Sequence, residues 1–90
     1  PARRPLAGSL QSGVVTLYDG ELGVAVVNFG RAQGARVGLP FRILRDRRVI
    51  GHCRLIEVRE YLSAAKIEQV LENTQVQEGD RLLLETMIKR

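Results

Sequence analysis

The stretch Val27 to Asp46, VNFGRAQGARVGLPFRILRD, limits what this chain can fold into more than any other. An apolar run ends in Asn28-Phe29-Gly30. Gly34 and Gly38 follow at intervals of four, and Pro40-Phe41 opens a second apolar run. Glycine reaches positive φ without steric cost, so this spacing predicts a tightly folded loop joining two strands. Val37 is the expected anchor of that loop in the core. Asn28, Gly30, Gly34 and Gly38 are expected structural turn residues, as are Gly79 and Asp80 further on.

The flanking segments alternate with a period of two. Val14–Tyr18 reads as a first strand rich in β-branched residues, and Asp19-Gly20 as a hairpin turn. Gly23–Phe29 is a second strand, with Ala25, Val27 and Phe29 on one face and Val24 and Val26 on the other. Apolar residues on both faces predict a strand covered on both sides for part of its length. Pro40–Asp46 is a third strand, where proline suits the start, and Asp46-Arg47-Arg48 forms the next turn. Val49–Arg59 is a long fourth strand whose apolar phase slips, with Gly51 as the expected bulge. Leu62–Val70 reads as a fifth strand with Ser63, Ala65 and Ile67 on one face and Lys66 and Glu68 on the other, with one short helix as the alternative because Ala, Lys, Glu and Gln are good helix formers. Val76 is the expected plug of the polar stretch Leu71–Glu78, and Arg81–Glu85 is the last strand.

Short strands with turn signals between them predict an all-β barrel or sandwich, and ninety residues suit a barrel of five or six strands. The expected domain spans 13–85, after a flexible linker over 1–12 and before a C-terminal tail over 86–90. Pro1 stands where an initiator Met would, so an excised domain of a longer protein is expected.

Charge divides the sequence. Arg31 to Arg54 holds seven Arg against one Asp, whereas Leu55 to Glu85 holds seven acids against three bases. With a net charge of +4, the chain is suited to an anionic partner. Arg42, Arg45, Arg47, Arg48 and Arg54 are the candidate partner-binding residues. The turn places Arg45, Arg47 and Arg48 where side chains project into water. The acidic stretch makes a second copy of the chain one candidate partner. Nucleic acid is the alternative, and it would need Tyr18 or Tyr61 as a stacking platform beside the arginines.

Reactive chemistry is sparse. His52 and Cys53 are the sole residues of their kinds, and adjacent strand residues point to opposite faces, so they make no nucleophile pair and no zinc site. The glycine spacing fits neither a Walker loop nor a dinucleotide fingerprint. Glu57, Glu60, Glu68 and Glu72 read as solvated surface acids. No catalytic residue, cofactor or metal ligand set is therefore expected. No apolar run approaches the roughly 20 residues of a membrane span.

The order GVVTLYDGELGVAVVNFGRAQGARVGLPFRILRD, then VIGHCRLIEVRE, Ser63-Ala64-Ala65 and Gly79-Asp80-Arg81-Leu82, resembles the C-terminal domain of flagellar assembly protein T. More loosely it is similar to the β-domains of rod-shape-determining protein C. The resemblance runs from about Gly13 to Glu85. It implies a small barrel of the Src-homology-like or OB-like kind, acting as a structural module in a bacterial envelope assembly. The expected role is thus a non-catalytic protein-interaction module.

Overall fold

Alternation along six short strands closes the chain on itself. The computed structural model describes residues 12–85, so the expected tail over 86–90 lies outside the described residues, as does the expected linker apart from Ser12. The strands are β1 Ser12–Asp19, β2 Val24–Val27, β3 Pro40–Arg45, β4 Arg48–Val58, β5 Ser63–Val70 and β6 Arg81–Leu84. They form a closed antiparallel barrel in the order β1-β2-β5-β4-β3-β6. Closure pairs every strand on both sides and leaves no open sheet edge.

The barrel is filled along its axis by aliphatic side chains. Val15, Ala25, Val27, Phe41, Ile43, Cys53, Leu55, Ala65 and Leu82 are all buried. Phe29 and Phe41 stack with ring centroids 5.1 Å apart. Ser63 also points inward, and its hydroxyl donates to the Phe29 carbonyl oxygen at 2.8 Å, which satisfies a buried polar group.

Two crossovers close the two ends. The glycine loop carries the chain from β2 to β3 beneath the turn between β4 and β5, and its Arg31–Gln33 segment is one turn of 3-10 helix. Gly30 runs so close to that turn that a Cβ there would sit 2.2 Å from the Arg59 carbonyl oxygen. Its glycine is required by close approach. Gly38, in contrast, has φ 97° with open space around it, so there backbone conformation is the reason. At the other end, which carries the β1–β2 and β3–β4 hairpins, residues 71–80 cross from β5 to β6. Val76 is 3% exposed and plugs that end as expected.

The two halves repeat one another about an internal two-fold axis. Ala35, Gly38 and Phe41 recur at the same spacing as Val76, Gly79 and Leu82: a buried plug, a glycine at positive φ, and a buried strand residue. The Gly38 N–H donates to Leu55 O while the Leu55 N–H donates to Leu39 O; the Gly79 N–H donates to Val15 O while the Val15 N–H donates to Asp80 O. Bulges fall at equivalent places, between Val15 and Leu17 and between Leu55 and Glu57.

Several sequence expectations are corrected. Val37 is 66% exposed; Ala35, at 2%, is the loop residue in the core. The loop turns the methyl group of Ala35, and not the larger Val37 side chain, toward the core. Residues 63–70 form a strand, so the helical alternative fails there; pairing with both β2 and β4 overrides local propensity. The predicted bulge near Gly51 falls one residue earlier, at Ile50, which has no partner between Ile43↔Gly51 and Leu44↔Val49. The outer residues of β2, Val24 and Val26, are half-buried, and no second layer covers them among the described residues.

Candidate functional site

The candidate surface begins at the β3–β4 hairpin. Asp46 and Arg47 are its two central residues, with φ 52° and 70°. Two successive left-handed residues match the right-handed twist of the strands they join, which is the turn usually served by Asn-Gly. Here Asp and Arg occupy it with no glycine to mark it, and the turn is one residue shorter than the expected Asp46-Arg47-Arg48, with Arg48 already in β4.

The structure divides the five candidate arginines. Arg45 lies on the inward face of β3 at the barrel mouth. Its Nε and Nη2 donate to the two carboxylate oxygens of Asp80, each at 2.9 Å, and Nη2 also donates to Gln75 O at 2.6 Å. Asp80 is 4% exposed and accepts a further bond from the Gln77 N–H. Burial opposes ionisation of Asp80. The Arg45 hydrogen bonds, the Gln77 N–H and the Arg45 charge together outweigh it and hold the carboxyl below its ordinary value. The expectation that Arg45 projects freely into water is therefore corrected: it ties the second crossover to β3. Asp80 is more than a turn residue for the same reason.

Arg54 is also engaged. It bonds Glu68 Oε2 at 3.1 Å and the Gly38 carbonyl oxygen at 2.9 Å, linking β4, β5 and the glycine loop. Arg42, Arg47 and Arg48 make no ion pair among the described residues. Arg42 is half-buried on the outer barrel wall, between His52 of β4 and Leu83 of β6 in the strand register. Arg81 of β6 lies diagonal to it, a neighbour the sequence reading missed because the two are brought together only by barrel closure. Beside Arg48, exposed Val49, Val70 and Leu71 border a shallow depression of about 100 Å³ floored by Gly51.

Other polar candidates are absorbed by the fold. Asn28 Oδ1 accepts the Val14 N–H at 2.8 Å. Glu57 pairs with Arg59, and Glu60 with Arg31. Cys53 is inside the barrel and His52 outside, where its Nδ1 is 3.1 Å from Glu85 Oε1. Burial, and then the Glu68 charge, push the Cys53 thiol up to about 12, so it is protonated at neutral pH.

No protein-family model, curated protein or solved structure matches the chain. Among the described residues no helix is long and apolar enough to cross a membrane.

Neither tyrosine is an exposed platform beside Arg47 and Arg48. Tyr18 is half-buried and packs on the core. Tyr61 is 69% exposed but lies in the β4–β5 turn, at the end of the barrel opposite Arg47 and Arg48.

Proposed function

We propose that this domain is a non-catalytic protein-interaction module whose β3–β4 hairpin docks on an acidic protein surface. Arg47 carries the reading. It is exposed, has no ion-pair partner among the described residues, and holds φ 70° at a position where glycine would be less strained. An exposed side chain at a conformation that costs about 1 kcal/mol, with no ion pair in the barrel, is accounted for by something outside it. Arg48 adds a second guanidinium, and Val49, Val70 and Leu71 add an apolar margin. Arginine pairs with carboxylates through two parallel bonds, which sets orientation as well as affinity. The filled interior leaves the outer wall and hairpin ends as the surfaces for a partner. The resemblance to flagellar assembly protein T and rod-shape-determining protein C supports an envelope assembly as the setting.

The test is fluorescence anisotropy with a labelled peptide of alternating Glu and Leu, and separately with a thymidine oligonucleotide. The peptide is expected to bind in a salt-sensitive manner and to lose binding in Arg47→Glu/Arg48→Glu. Oligonucleotide binding with a steep salt slope, and no peptide binding, would replace this reading with the nucleic-acid one.

A further inference from the structure

The end of the barrel that bears the hairpins carries opposite charges on opposite lips. One lip is the β3–β4 tip with Arg47 and Arg48. The other is the β1–β2 turn, where an open groove is lined by Leu17, Tyr18, Asp19, Gly20, Glu21 and Gln75. The strand order places β1–β2 and β3–β4 across the barrel from one another. The second crossover runs between them: Gln75 lines the acidic groove, and its backbone carbonyl oxygen accepts from Arg45 Nη2 on the basic side.

The charges on these lips are left open. Glu21 makes no ion pair among the described residues, and neither do Arg47 and Arg48. Asp19 uses Oδ1 to accept the N–H groups of Glu21 and Leu22, which orders the turn and keeps its charge on the lip. Lys66 approaches from β5, but its amine donates to the Leu22 carbonyl oxygen at 2.8 Å. At the opposite end of the barrel, by contrast, the acids are paired internally, Glu57 with Arg59 and Glu60 with Arg31.

We infer that two copies of this chain associate through their hairpin ends. A two-fold axis across that end sets Arg47 and Arg48 of each copy on Asp19 and Glu21 of the other, with Leu17 and Tyr18 as the apolar floor. The contact is isologous and closes as a dimer, because each copy gives one basic and one acidic lip. Asp46 offsets part of the tip's charge, so the association is expected to be weak and salt-sensitive. This inference rests on the hairpin being a docking element and names its partner as a second copy.

Two charge-reversed variants of the full chain test it by sedimentation velocity. Asp19→Asn/Glu21→Lys makes both lips basic while Asn keeps the Oδ1 acceptor of the turn, and Arg47→Glu/Arg48→Glu makes both acidic. Each alone is expected to dimerise at least about tenfold more weakly than the parent, since like charges then face each other. Mixed together they are expected to form a heterodimer, because one contact is the native one and the other is restored with reversed sign. A parent that stays monomeric at low salt and high concentration overturns the inference. So does a mixture that associates no better than its components. Retained acidic-peptide binding by that monomeric parent would leave the docking role of Arg47 and Arg48 standing. Circular dichroism of both variants confirms that loss of association is not loss of fold.

Discussion

Arg45 and Asp80 lie thirty-five residues apart in sequence and meet through two parallel hydrogen bonds of 2.9 Å. The pair fastens the crossover between β5 and β6 to the end of β3. Asp80→Asn keeps the shape and removes the charge that Arg45 and the Gln77 N–H are arranged around. A loss of about 1–3 kcal/mol is expected in urea melts at neutral pH, less than for a fully buried pair because Arg45 is 30% exposed.

The same pair fixes a pH dependence. Asp80 is held below its ordinary value in the fold, so its contribution is complete above the unfolded carboxyl value of about 3.9. That contribution is lost as pH falls through the lower folded value. The difference in stability between the parent and Asp80→Asn is therefore expected to be constant from pH 7 down to about 4 and to shrink below it. Urea melts at successive pH values check this; a difference that persists unchanged into strong acid would rule it out.

Gly30 and Gly38 are expected to respond differently to alanine. At Gly38 the added methyl meets nothing within 4 Å, so only the strain of φ 97° is felt, about 1–2 kcal/mol. At Gly30 the methyl collides with the backbone of Arg59 and Leu62, and the loop must move away from the β4–β5 turn. Gly30→Ala should be the more damaging of the two by thermal melting. Equal melting temperatures would show that the loop absorbs the collision.

Arg47→Gly is expected to stabilise the isolated domain by about 1 kcal/mol, since glycine relieves the left-handed conformation at the tip. The same variant is expected to weaken acidic-peptide binding. Stability and binding thus move in opposite directions, a pattern a solvated turn without a partner would not give.

Cys53 is expected to resist alkylation in the native state at pH 8, because it is buried and its thiol is raised to about 12. Iodoacetamide labelling should rise with denaturant in step with unfolding. Fast labelling without denaturant would show that the barrel opens locally at β4.

The strands were legible because alternation and turn glycines are local signals. Val76 could be recognised as a plug since it is the one aliphatic inside the polar crossover, with Leu71 only at its start. Ala35 could not, because a methyl group in a loop carries no hydrophobic signal until the neighbouring wall is known. The turn at Asp46-Arg47 lacked the glycine that marks its type, and the division of the arginines depended on Asp80 and Glu68, which lie far along the chain. Charge content was thus visible in the sequence, while the assignment of each charge to a partner required the closed barrel.

The internal two-fold bears on how the chain is made. β3 lies between β4 and β6, and β6 lies between β3 and β1, so four of the six seams join one half of the chain to the other. Neither half holds a complete sheet alone. During synthesis the first three strands emerge with β3 unpaired on both sides, and the barrel closes only after Leu84 has been added. Folding is therefore expected to be slow and concerted, with the exposed margins of β3 protected in the cell until the last strand arrives.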